Sequence, residues 1–217
     1  KTTAIVTKKR EDAIYQAINS LNQVIIFDDG LQEKKINYDL KIVCFKKKNW
    51  IGNGQLIPSG PLREKIENLK NYDAVFLNGK DHNSKEIRET IYKLNPKIEI
   101  FETNYEIRNF GELNKNSNYL IFSGIGDPSS FKEILLDNNV NVIKEIIFPD
   151  HHMYKKKDVQ NIFEGASRLN AKILTTEKDF IKLSDHDAEK INFLKIELKI
   201  AEEERPVSYT HLTLPTK

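Results

Sequence analysis

Short apolar runs alternate along the chain with stretches whose apolar residues recur every three to four positions. Residues 2–7, 24–29, 40–45, 74–77, 98–102, 119–123, 142–148, 172–175 and 193–198 are short, rich in β-branched and aromatic side chains, and read as strands. Between them, residues 10–21 place Ala13, Ile14, Ala17, Ile18 and Leu21 on one helical face, and residues 84–94, 129–138 and 158–170 also read as helices. Residues 24–27, Val-Ile-Ile-Phe, are apolar throughout, as in a strand covered on both faces. Strands alternating with helices of about ten or more residues form βαβ units, so the expected fold class is α/β, a mainly parallel sheet with helices on both faces. The polar segment 104–118, with Gly111 among several Asn and Lys, separates two groups of strands. The expected organisation is therefore a larger domain over 1–103, a linker over 104–118 and a smaller α/β domain over 119–204.

Composition narrows the function classes. The 217 residues carry 34 basic and 32 acidic side chains, a net charge of +2 that gives no electrostatic reason to expect a nucleic-acid partner. The longest apolar runs are too short for a membrane-spanning helix or the hydrophobic region of a signal peptide. Cys44, alone, cannot form an internal disulfide or a multi-thiolate metal site, which fits a reducing compartment. Lysine-rich runs such as 46–48 and 155–157 read as solvated surface. The chain opens on Lys1, and Met153 is its one methionine, so it is expected to be a fragment. Residues 205–217, RPVSYTHLTLPTK, break with the composition before them and resemble translated adapter sequence; the fold expectations leave them out.

The chemistry-bearing residues collect at strand ends. The run 24–27 ends in Asp28 and Asp29, and in parallel α/β sheets ligands bind beyond the carboxyl ends of the strands. Paired carboxylates there suit Mg²⁺, held directly or through water while it bridges nucleotide phosphates, the Walker B pattern. Acids that end strands and open turns are equally an ordinary structural feature. Gly30 gives a tight exit, and Gln32 adds a polar side chain at the same rim. The matching phosphate loop, G-x-x-x-x-G-K-[ST], is absent: Gly79-Lys80 is followed by Asp81 and has Ala74 where the first glycine belongs.

Four further segments carry candidate chemistry, the last three of them directly after a strand. Residues 52–64, GNGQLIPSGPLRE, specify one shaped loop from which Arg63 can grip a phosphate through paired hydrogen bonds, the plainer reading being a turn with a surface arginine. Residues 123–128, SGIGDP, join a strand to a helix, where backbone amides could bind an anion or simply form a βα turn. FPDHH follows another strand; one of His151 and His152 is expected to face a site, with Asp150 setting its tautomer or charge. Residues 175–179, TTEKD, bring hydroxyls, a cation and acids to a further strand end. A zinc hydrolase using Asp28, Asp29, His151 and His152 is an alternative, although His82, His186 and His211 add no ligand spacing.

Read in order, VIIFDDGLQ, GNGQLIPSGPLRE, FLNG, FSGIGDPSSF, FPDHH and TTEKDF resemble the landmarks of the tetraacyldisaccharide 4'-kinase family, the lipid A 4'-kinases. The resemblance runs over about residues 8–199. It implies a P-loop kinase fold of two α/β/α domains, with ATP and Mg²⁺ as cofactors and tetraacyldisaccharide 1-phosphate as the lipid substrate. Phosphorylation of that substrate's 4'-hydroxyl would take place at the cytoplasmic face of the bacterial inner membrane. By position, Asp28 and Asp29 match the family's Walker B acids and Gln32 the active-site glutamine of the same motif. His151 matches the histidine that assists the acid/base step, and Arg63 lies in a motif similar to GPLRE, where it would contact substrate or phosphate. Glu33 stands where the family often has histidine, Tyr38 where an arginine usually precedes Asp39, and Asp127 where asparagine is usual. The phosphate loop, the acidic motif that supplies the proposed base and an amphipathic membrane anchor would all precede Lys1. The chain alone is therefore expected to be inactive. The competing reading is a non-catalytic nucleotide- or sugar-binding α/β domain whose loops bind without transfer.

Overall fold

The computed structural model describes residues 3–80, 84–114 and 116–201; the 205–217 tail, His82 and His211 lie outside the described residues. The chain divides into two compact units, Lys1–Lys41 and Ile42–Lys217.

In the first unit, helix α1 (Arg10–Asn19) carries Glu11 and Asp12 in its first turn, where negative charge complements the helix dipole, and buries Ala17. It closes at Asn22, whose backbone N–H and side-chain amide both donate to the Ala17 carbonyl at 3.1 Å. The strands expected over 2–7 and 24–29 do not form among the described residues of this unit, where Val24 is 64% and Ile26 90% exposed. A strand exists through the ladder it shares with a neighbour, and this unit presents no second strand among its described residues. Apolar, β-branched content favours a strand but does not supply that ladder.

The second unit is built on two four-stranded sheets. The first has the order β1 (Ile42–Lys46), β2 (Ala74–Asn78), β3 (Glu99–Ile107) and β8 (Ile196–Ile200), the first three parallel and β8 antiparallel to β3. The second has the order β5 (Asn141–Ile147), β4 (Asn118–Ser123), β6 (Lys172–Thr176) and β7 (Asn192–Leu194), all parallel. Helices α2 (Ser84–Leu94), α3 (Pro128–Asp137) and α4 (Lys156–Arg168) connect parallel strands, and two single-turn helices, α5 (Glu177–Phe180) and α6 (Asp185–Ala188), lie between β6 and β7.

Period-two alternation explains how the second sheet is covered. Tyr119 and Ile121 point to one face, where they pack with Phe131 and Leu135 of α3; Leu120 and Phe122 point to the other, against Ile162 and Ala166 of α4. In the first sheet Val75, Leu77 and Ile100 form a core with Leu69 and with Ile87 and Ile91 of α2. The stretch 193–198, expected as one strand, is split between the two sheets. Asn109 holds the break, donating to the Phe193 carbonyl at 2.8 Å and accepting from the Lys195 N–H at 2.9 Å. Residues 104–118 comprise the end of β3, a 3-10 turn at Phe110–Glu112 and the first residue of β4.

In the lysine run 46–48, Lys46 and Lys48 are exposed as expected, but Lys47 is not. Each lysine pairs with a different carboxylate: Lys46 with Asp127, Lys47 with Glu102 and Lys48 with Glu133. Lys47 is buried, 6% exposed, and Arg88 also reaches its partner Glu102, at 3.5 Å. Alternation within the run sends its middle lysine inward. Lys155, Lys156 and Lys157, by contrast, are exposed.

Candidate active site

In the first unit the acidic pair sits in a stretch of consecutive turns organised by Tyr38. Its hydroxyl donates to the Gly30 carbonyl at 2.7 Å and its ring meets Phe27 edge-on, centroids 5.5 Å apart. Gly30 is buried there, and a Cβ would stand 2.8 Å from the Phe27 Cβ, so the turn requires glycine. Asp29 adopts a left-handed φ of 52°, and the Arg10 guanidinium donates to its carbonyl at 2.7 Å. Asp28, Asp29 and Gln32 are all exposed. Two hard carboxylates with an amide oxygen three residues on fit Mg²⁺, which binds through one or two carboxylates and keeps several waters. Among the described residues, no three His, Cys, Asp or Glu side chains gather into a group that could hold a metal ion.

In the second unit the loop 52–64 is closed on itself. Leu62 N–H donates to Gln55 O at 3.1 Å and Ile57 N–H to Leu62 O at 2.8 Å, while the Asn53 amide donates to Ser59 O at 2.8 Å. A Cβ on Gly60 would fall 2.5 Å from the Gln55 carbonyl oxygen, which is why glycine stands there. The Arg-Glu pair that ends the loop divides its labour. Glu64 accepts from the Asn68 amide and the Tyr72 hydroxyl, both at 2.9 Å, anchoring the loop to the following 3-10 turn, while Arg63 is exposed. Burial and then the Glu64 carboxylate push the Tyr72 hydroxyl up to about 12.

At the carboxyl end of the second sheet three of the sequence segments interlock. After β4, the Gly124 N–H donates to the Asp179 carboxylate at 2.9 Å, and the Gly124 carbonyl accepts from the His151 N–H at 3.1 Å. The Asp150 carboxylate also accepts from that N–H, at 2.9 Å. A Cβ on Gly124 would stand 3.1 Å from the Pro149 carbonyl oxygen and 3.2 Å from both the His152 Cβ and the Tyr154 hydroxyl, so the close approach depends on glycine. One amide of the expected anion-binding turn, that of Gly124, is therefore occupied from within. Asp127 caps α3, taking the Ser130 N–H at 3.2 Å and both the Ser129 and Ser130 hydroxyls at 2.7 Å.

The two histidines separate as adjacent residues must. His152 stacks on Phe148, centroids 4.7 Å apart, and its Nε2 lies 3.0 Å from an Asp158 oxygen that also takes the Lys155 N–H at 2.9 Å. His151 has a left-handed φ of 59°, and its side chain is 75% exposed, with Nε2 3.8 Å from Asp150. Behind them Asp179 is fully buried. Burial alone would raise its pKa, but hydrogen bonds from Lys182, the Gly124 N–H and Thr176 outweigh that and hold it below the usual carboxylate range. Tyr154 is pushed well up, first by burial and then by the Asp179 charge. The sequence reading missed Asp158, Tyr154 and Lys182. The Thr176-to-Asp179 spacing of a capping box was there to be read, since Thr176 caps α5 by accepting the Asp179 N–H at 3.1 Å, but the burial of Asp179 was not.

The family model described as tetraacyldisaccharide-1-P 4'-kinase matches residues 1–211. The chain belongs to the tetraacyldisaccharide 4'-kinase family. The kinase of that name from Pelagibacter ubique is 46% identical over 195 residues, covering 90% of this chain and 62% of its own length. That from Rickettsia bellii is 35% identical over 187 residues, covering 85% of this chain and 56% of its own. The chain thus spans about three fifths of the length of the 4'-kinases it matches. LpxK from Aquifex aeolicus, crystallised with ATP, is 25% identical with a TM-score of 0.58 over 89% of this chain and 59% of that one. The α/β P-loop kinase fold is therefore that of this 4'-kinase family. Its candidate residues fall into three places: Asp28, Asp29 and Gln32 in one turn of the first unit, and Arg63 and His151 on two separate loops of the second.

Proposed function

We propose that this chain carries the metal-handling and acid/base portions of a kinase that transfers the γ-phosphate of MgATP to the 4'-hydroxyl of tetraacyldisaccharide 1-phosphate. The observation that carries the reading is His151: the family's FPDHH segment, directly after a parallel strand, turns this imidazole into solvent while packing His152 away. In the transfer, the 4'-oxygen forms a bond to the γ-phosphorus as the bond to the β,γ-bridging oxygen breaks, and the hydroxyl proton leaves to a base. His151 assists that proton movement from an exposed imidazole. Arg63 would reach a phosphate or the substrate from its own loop, and Gln32 the nucleotide beside the acids. When bound, Mg²⁺ neutralises charge on the nucleotide phosphates; Asp28 and Asp29 would hold it, directly or through water.

The same reading places the reaction at the cytoplasmic face of the inner membrane, where the lipid substrate would be met; among the described residues no helix is long and apolar enough to cross a membrane. Phosphoryl transfer rests on positioning and charge neutralisation, and the sequence lacks G-x-x-x-x-G-K-[ST]. The test measures phosphate transfer from MgATP to tetraacyldisaccharide 1-phosphate by the product of the complete gene, its Asp29→Ala variant and the 217-residue chain. Transfer by the first, a loss of about a hundredfold or more in the second and none by the third are expected. No transfer by any of them, under conditions where a relative works, would leave a binding domain without catalysis.

A further inference from the structure

The TTEKD segment is not absorbed by the reaction as described, yet it contains the most deeply buried acid near His151. The Asp179 side chain has no exposed surface and accepts three hydrogen bonds: from Gly124 N–H at 2.9 Å, Thr176 hydroxyl at 2.8 Å and Lys182 ammonium at 2.8 Å. Burying a carboxylate is costly unless its lone pairs are met, and closing the β6–α5 turn needs only Thr176, which already caps α5. What the carboxylate adds is a bond to a loop 55 residues away in sequence.

The residue it holds is the one that holds His151. Gly124 gives its N–H to Asp179 and takes the His151 N–H on its carbonyl, so one residue is fixed from both sides. His151 needs such a restraint because a positive φ is unfavourable for a side chain larger than glycine's, and here that φ turns the imidazole outward. The surroundings of Gly124 leave no slack, with Pro149, His152 and Tyr154 all within 3.2 Å of where a Cβ would stand.

We propose that Asp179 is a positioning residue for His151, acting through Gly124, whose N–H and carbonyl make the two bonds. The inference rests on the reading of His151 as the acid/base residue, and the experiment separates the two. In the product of the complete gene, kcat and KM for MgATP are measured for Asp179→Asn, His151→Ala and the double variant. Asp179→Asn is expected to lower kcat about tenfold or more with KM within about twofold, yet to cost less than about twofold in the His151→Ala background. Multiplying losses would show that Asp179 acts independently of His151 and would overturn the proposal, as would an unchanged kcat.

Wild-type protein that transfers no phosphate refutes the kinase reading, and amide hydrogen exchange in the 217-residue chain then decides the positioning role alone. Asp179→Asn should speed exchange at Gly124 and His151 about tenfold while Ile121 and Leu174 in the sheet keep their protection. Unchanged exchange at both residues, or loss throughout the sheet, would refute it. Should Asp179→Asn not fold, Lys182→Met, which removes the countercharge and leaves the carboxylate, carries the same measurements.

Discussion

Neighbouring lysines in this chain, Lys47 and Lys48, have different energetic standings, and burial decides which matters. Lys48 pairs with Glu133 between side chains that are each about half exposed, so solvent screens the pair and it contributes little to stability. Lys47 is buried, and its partner Glu102 is 16% exposed. Removing the lysine leaves a largely desolvated carboxylate facing Arg88 at 3.5 Å, a loss of about 3–5 kcal/mol for a buried pair broken on one side. Urea unfolding of Lys47→Ala and Lys48→Ala should therefore separate the two by several-fold in lost stability. Equal, small losses would show that Lys47 is as solvated as its neighbours. The sequence could not announce this difference, because a lysine between two lysines carries no mark of which strand face it occupies.

At the scale of elements, the sequence spoke most clearly where the signal is local. Helix α2 forms over the span its periodicity indicates, and β2, β4 and β6 lie within about a residue of the apolar runs that foretold them. It was silent where a partner far along the chain decides. Residues 24–29 have strand composition without a ladder, and 193–198 divides between sheets where Asn109, more than eighty residues earlier, bonds to the Phe193 carbonyl and the Lys195 N–H. The candidate site divides likewise: its motifs all fall at turns and strand ends, as their Gly, Pro and Asp content indicates, while the burial of Asp179 depends on Gly124. The cap of α3 is a local signal with a global readout. Burial pushes the Asp127 pKa up, but Lys46 and the Ser129 and Ser130 donors more than reverse that, leaving it well below the ordinary carboxylate range. A carboxylate depressed in the folded state stabilises the fold fully above its unfolded pKa, about 3.9, and loses that contribution as pH falls through the lower folded value. The gap in melting temperature between wild type and Asp127→Asn should accordingly be full at pH 7 and shrink below about pH 4. A gap of the same size at pH 7 and pH 3 would remove the carboxylate's charge from the account.

At the scale of the molecule, the apolar clusters that hold the fold together run from Leu69 to Leu194 and lie wholly within the second unit, as do both sheets. In the first unit the buried residues among those described are Ala17 and Gly30, neither of which brings a large apolar side chain. Since stability scales with the apolar surface removed from water, residues 1–41 should contribute little to it. They carry Asp28, Asp29 and Gln32, so in the proposed reaction they matter for the metal and the nucleotide rather than for the fold. A protein of residues 42–201 should then melt within about 5 °C of the 217-residue chain, since about 1 kcal/mol moves the midpoint by a few degrees at this size. It should also keep slow amide exchange at Ile121, Leu174 and Val75. A fall of about 10 °C or more, or exchange rising across both sheets, would mean that the first unit stabilises the second. If the fragment stands, adding back 1–41 should change Mg²⁺-dependent ATP binding and leave the melting point nearly where it was, separating the residues that build the molecule from those that handle its ligand.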